Sequence, residues 1–85
     1  MTRNGVLASR EAGALFRRCR QALGLSTAGM ARALLVSDGR TIRRWEAGDR
    51  AVPGPAWVAM GFLLRQAGED ALSEEVAMRY REISY

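Results

Sequence analysis

Lysine and histidine are absent from this chain, cysteine occurs once and proline twice. A single cysteine excludes an intramolecular disulfide and fits a reducing cytoplasm, and without histidine the ordinary zinc ligand sets cannot be assembled. Acid–base and nucleophilic catalysis usually recruit histidine, an activated cysteine or a carboxylate pair in a cleft. Here Cys19 falls on an apolar helix face, while Glu69, Asp70, Glu74 and Glu75 read as acids near a helix start, where the dipole favours them. The composition therefore argues against an enzyme and implies neither cofactor nor metal. Residues 1–9 hold no apolar stretch of signal-peptide length, and the longest apolar run, residues 55–64, falls short of the ~20 residues needed to span a bilayer. No membrane partner is expected.

What the chain does have is arginine. All thirteen basic residues are arginines, and the net charge is +4. Residues 1–50 carry ten of them against Glu11, Asp38, Glu46 and Asp49, a balance of +6; residues 51–85 carry three against five acids, a balance of −2. A basic half followed by an apolar, mildly acidic half suggests one surface for a polyanion and another for protein contact. With 85 residues, 48% of them apolar, there is room for one ordered domain burying roughly 60 to 65% of its unfolded surface.

Periodicity is helical throughout, with no strand-type alternation. Residues 1–9 show no usable pattern and are expected to form a flexible arm, with Ser9 able to cap the first helix. Leu15, Phe16, Cys19, Ala22 and Leu23 recur at three and four residues, predicting that first helix over about Arg10 to Leu23, where Gly24 closes it. Ser26 caps a short second helix whose inner face is Met30, Ala31 and Leu34. In the turn Val36-Ser37-Asp38-Gly39, Gly39 permits an unusual backbone angle, and the third helix runs from there to Ala47, where Gly48 stops it. Pro55 suits the first position of a fourth helix, about Pro55 to Gln66, which is apolar almost all round and needs a cover. A fifth segment from about Asp70 sets Leu72, Val76, Tyr80 and Ile83 on one stripe. It either folds back over helix four or joins it in a subunit interface, with Trp57, Met60, Val76, Tyr80 and Ile83 as the dimer candidates.

The third helix separates into two faces. At 100° per residue, Arg40, Arg43, Arg44 and Ala47 fall on one side, and Ile42, Trp45 and the flank of Glu46 on the other. By itself such a stripe is equally a solvated basic face. Yet three guanidiniums in a row repel one another and gain little from folding, whereas a DNA major groove offers phosphates and guanine edges that pair with them bidentately. Two short helices joined by a turn, the second bearing the polar face, form the helix-turn-helix arrangement.

The stretches Phe16-Arg17-Arg18-Cys19-Arg20-Gln21-Ala22-Leu23-Gly24-Leu25-Ser26 and Thr41-Ile42-Arg43-Arg44-Trp45-Glu46-Ala47-Gly48 resemble the Cro/C1-type (Xre-type) helix-turn-helix family of phage and bacterial repressors. The resemblance covers about Leu15 to Leu64. It implies an all-α, compact four- to five-helix bundle of the lambda-repressor-like kind, divided into an arm (1–9), a helix-turn-helix DNA-binding domain (10–66) and a C-terminal packing or dimerisation helix (67–85). It also implies a structural salt bridge between Arg20 and Glu46, and base reading by Arg40, Arg43 and Arg44 with Asp38 and Gly39 at the entrance. Phosphate contacts are implied at Ser26, Thr27, Thr41, Arg17 and Arg50. Three positions depart from the family pattern: Thr27 replaces a longer glutamine, Leu35 replaces the turn glycine, and residues 37–41 run one residue long.

The function implied is a cytoplasmic, nucleoid-associated regulator, bacterial or phage-encoded. It would bind double-stranded DNA at an inverted-repeat operator as a homodimer, acting as a repressor, in some cases of its own phage, mobile-element or toxin–antitoxin operon. The alternative is a protein-interaction module or antitoxin that keeps the fold and acts through helices four and five. That alternative leaves the arginine stripe unexplained.

Overall fold

A computed structural model describes the backbone of residues 2–84 and the side chains of residues 10–79. The described residues form five helices and no strand: α1 Thr2–Ala22, α2 Thr27–Ala33, α3 Gly39–Ala47, α4 Gly54–Gln66 and α5 Asp70–Ser84. The chain is all-α. By their contacts the helices fall into two units that divide between Val52 and Pro53, with α1, α2 and α3 in the first and α4 and α5 in the second.

Helix α1 begins earlier than its apolar pattern suggests. The backbone of residues 2–9, expected as a flexible arm, continues the helix, and Ser9 lies within it instead of capping it. Among these residues only Gly5 strongly opposes helix, at a cost of about 1 kcal/mol, while Arg3, Leu7 and Ala8 favour it. Periodicity marks where a helix buries a face, which is a narrower thing than where it starts.

Four helices end in the same way. Gly24, Leu35, Gly48 and Gly68 have φ of 71°, 59°, 83° and 80°. In each case the next residue's N–H donates back to a carbonyl five residues earlier: Leu25 to Arg20, Val36 to Ala31, Asp49 to Arg44 and Glu69 to Leu64. This closure satisfies carbonyls that the helix leaves unpaired and normally selects glycine for its left-handed residue. Leu35 is the exception. Gly39, expected to supply the unusual angle in this turn, is instead the first residue of α3 with no positive φ. Its lack of a side chain answers a close approach, since a Cβ there would lie 3.1 Å from both the Ala28 nitrogen and Thr27 Oγ1.

In the first unit α1 and α2 both pack on α3. Leu15, Phe16 and Cys19 from α1, Met30 and Ala31 from α2, and Ile42 and Trp45 from α3 are buried. Phe16 and Trp45 meet edge to face with centroids 5.6 Å apart and planes at 89°, a geometry worth about 0.5–1.5 kcal/mol beyond area burial. Gly13 lets the backbones of α1 and α3 touch, because a Cβ there would come within 2.4 Å of the Trp45 carbonyl oxygen.

In the second unit α4 packs on α5. Ala56, Trp57, Met60 and Leu64 from α4 and Val76 from α5 are buried. The buried Ser73 hydroxyl donates to the Gly61 carbonyl at 3.0 Å. Val58, Phe62 and Met78 remain exposed, so the cover α4 needs is partial. Trp57, Met60 and Val76, expected at a dimer surface, are buried in the core of the second unit, and Trp57 and Val76 show only as part of the lining of a groove. Their spacing marks the face α4 and α5 share with their own chain. Tyr80 and Ile83 lie outside the residues whose side chains are described.

Candidate nucleic-acid interface

Helix α3 is held from behind and by both ends. Ile42 and Trp45 anchor its inner face in the core of the first unit. At its start, Asp38 is the N-cap, its Oδ1 accepting from the Arg40 N–H at 2.8 Å. At its end Glu46 faces Arg20 of α1. Arg20 Nε donates to Glu46 Oε2 at 2.6 Å and Nη2 to Oε1 at 3.1 Å, while Nη1 donates to the Leu25 carbonyl at 2.8 Å. With side chains only 13% and 9% exposed, this is a fork held largely out of water. The hydrogen bonds to Glu46 raise the Arg20 pKa above its ordinary value, against the lowering effect of burial. Arg20 and Glu46 therefore fasten α1 to the end of α3, and all three guanidinium nitrogens of Arg20 are engaged within the chain.

Opposite this anchored side, Arg40, Arg43, Arg44 and Ala47 are exposed. The Arg40 side chain is 77% exposed, with its Nη2 3.7 Å from Asp38 Oδ2. An ion pair so open to water is worth at most about 1 kcal/mol, so Arg40 is readily lent to another acceptor. Arg44 makes no ion pair among the described residues. Arg43 differs from both: its Nη1 donates to Thr27 Oγ1 at 3.2 Å, which turns it toward the start of α2.

The residues expected to hold phosphate are spread more widely. Ser26 is the N-cap of α2, its Oγ accepting from the Gly29 N–H at 3.0 Å. Thr27 and the exposed Arg17 line one cleft of about 340 Å³ together with Arg20, Arg43, Glu46 and Ala47. Thr41 is half-buried on α3, and Arg50 is exposed just beyond the helix end. Asp38 and Gly39, expected at the entrance to the groove, are occupied in capping and in the close contact with α2. What sequence reading missed is the Arg43–Thr27 contact, for which no periodic signal exists, and Gly13, for which one does: glycine inside a helix costs about 1 kcal/mol and is kept for a packing reason.

Among the described residues no group of three or more histidine, cysteine, aspartate or glutamate side chains is placed to hold a metal ion, and no helix is long and apolar enough to cross a membrane. Residues 11–73 match a family model described as a helix-turn-helix domain. Comparison with curated proteins and with solved structures gave no match.

Proposed function

The chain belongs to the helix-turn-helix domain family, and from that premise we propose that it is a sequence-specific DNA-binding transcriptional regulator of the Cro/C1 type. The observation that carries this reading is the outward row of arginines on a helix whose inner face and both ends are fixed. A pre-set cationic helix reads base edges without first ordering itself. Arg40 and Arg44 are the base readers. Arginine forks pair with guanine O6 and N7, so the operator contains G·C pairs at the matching positions. No bond is made or broken in such a role, and binding across a promoter is enough to repress.

Selection from a pool of randomised duplexes, followed by gel-shift titration, tests the reading. Arg40→Ala and Arg44→Ala should each weaken the selected site by about 1–3 kcal/mol, roughly 5- to 150-fold, and relax preference at one base pair each. Variants that bind the selected duplex as wild type does would overturn the assignment.

A three-helix unit reads few base pairs, and a homodimer on an inverted repeat, with half-sites about 34 Å apart, supplies the rest. Support for self-association comes from the second unit. There Val58 and Phe62 stand exposed one turn apart on α4. They border a groove of about 320 Å³ whose floor includes Trp57, Gly61 and Val76. A protruding aromatic beside a groove of its own is self-complementary, as a two-fold interface requires. The same groove favours the second reading, a module that docks another protein through α4 and α5. Loss of function through Phe62 alone, with Arg40 and Arg44 dispensable, would select that second reading.

A further inference from the structure

Both side-chain interactions of Asp38 are made with one residue. Its Oδ1 accepts from the Arg40 backbone N–H at 2.8 Å, and its Oδ2 stands 3.7 Å from Arg40 Nη2. The Asp38 carbonyl also accepts from the Thr41 N–H at 3.3 Å, so its carboxylate is fixed on the first turn of α3. Of the three outward arginines, Arg40 alone has an acid within ion-pair distance among the described residues: Arg43 donates to Thr27, and Arg44 makes no ion pair. A pair this open to water adds almost nothing to folding. It does set a negative charge beside one cation of an outward row, where a surface built only to hold phosphate would be better without it.

An arginine at a major groove has two kinds of acceptor in reach. Phosphate oxygens are anionic and alike in every sequence, whereas guanine O6 and N7 are neutral and mark one base pair. A fixed carboxylate acts on the two unequally, repelling a phosphate that approaches Arg40 and leaving the base edge unopposed. Specificity is a difference of affinities, and a repulsive group that weakens the wrong complex raises it as surely as a new contact in the right one. We infer that Asp38 is a positioning residue that sets specificity: its carboxylate denies Arg40 to the phosphate backbone and keeps the guanidinium fork for guanine, without reading a base itself. This role rests on the DNA-binding reading above and separates the two arginines assigned to bases, since Arg40 carries such a guard and Arg44 does not.

The test is gel-shift titration of the full chain on its selected operator and on an unrelated duplex, at about 50 and about 200 mM salt. Asparagine caps a helix as well as aspartate, so Asp38→Asn removes the charge and keeps the fold, which an unchanged unfolding midpoint verifies. The variant should bind the unrelated duplex about three- to fivefold more tightly at the lower salt and the operator nearly as wild type does, so its preference for the operator falls by about that factor. At the higher salt the fall should shrink, because ions screen the carboxylate from the phosphates. In an Arg40→Ala background Asp38→Asn should leave the preference as it stands, since any general repulsion between Asp38 and DNA then acts on both duplexes alike. A preference in Asp38→Asn equal to that of wild type at both salts overturns the assignment, as does one that falls just as far when Arg40 is absent. Repeating the selection with Asp38→Asn would also overturn it by revealing a changed base pair that Arg40→Ala leaves intact, for Asp38 would then be a reader in its own right. Should wild type itself prefer no duplex, the regulator reading fails and this role with it, an outcome set apart because the defect is present before any substitution.

Discussion

Leu35 occupies the left-handed region at φ 59° and is 93% exposed, in a helix closure whose three counterparts are glycines. A non-glycine residue there costs about 1–2 kcal/mol, and so exposed a side chain recovers almost nothing by burial. Replacing it removes the strain and returns part of the gain as extra freedom of the unfolded chain, about 0.4–1 kcal/mol. Leu35→Gly should therefore stabilise the protein by roughly 0.5–1 kcal/mol and raise the midpoint of thermal unfolding by a few degrees. A midpoint that falls would show that the Leu35 side chain makes a contact worth more than its strain. The departure at this position was legible in the sequence as a missing turn glycine; that the backbone angle persists without it was not, because a single side chain does not report φ. Gly39 shows the converse, a glycine kept for proximity to Thr27 and Ala28 and not for its angle.

At the scale of the element, α3 is a short helix whose orientation depends on what grips its ends. The Arg20–Glu46 fork is the stronger grip, with three hydrogen bonds from one guanidinium and little exposure on either side chain. Removing one partner strands the other charge in a half-dry site, at about 3–5 kcal/mol. Arg20→Ala and Glu46→Ala should each lower stability by that amount in chemical denaturation, and Arg20→Met combined with Glu46→Leu should recover most of the loss. If the single variants cost under about 1 kcal/mol, the fork is an ordinary surface pair. Much of this element could be read in advance: inner Ile42 and Trp45 against outer Arg40, Arg43 and Arg44 follow from a 100° step. The Thr27 partner of Arg43 could not, since it joins residues sixteen apart on different helices. Helix ends signalled by Gly24 and Gly48 were legible, whereas the start of α1 was not, because residues 2–9 carry no periodic face and Ser9, which reads as a cap, lies inside the helix.

For the whole molecule, sequence reading separated a basic half from an apolar one, and the contacts divide the chain at nearly that point, Val52 and Pro53. It misplaced the face offered outward by the second unit, because an almost wholly apolar helix carries no moment to say which side its own chain covers. Trp57 and Met60 turned inward; Val58 and Phe62 did not. If two copies join there, association rests on apolar burial and should be nearly indifferent to salt, whereas DNA binding weakens as counterions compete. Phe62 is 62% exposed, so a charge at that position is tolerated by the folded monomer and opposed only by a partner. Phe62→Asp should sediment as a monomer at concentrations where wild type is a dimer, with an unchanged helical spectrum. It should lose affinity for a duplex with two half-sites by about ten- to a hundred-fold while binding a single half-site as wild type does, since only the coupling between half-sites is removed. A Phe62→Asp chain that remains dimeric would move the interface elsewhere, and one that is monomeric yet binds the inverted repeat undiminished would detach recognition from dimerisation altogether.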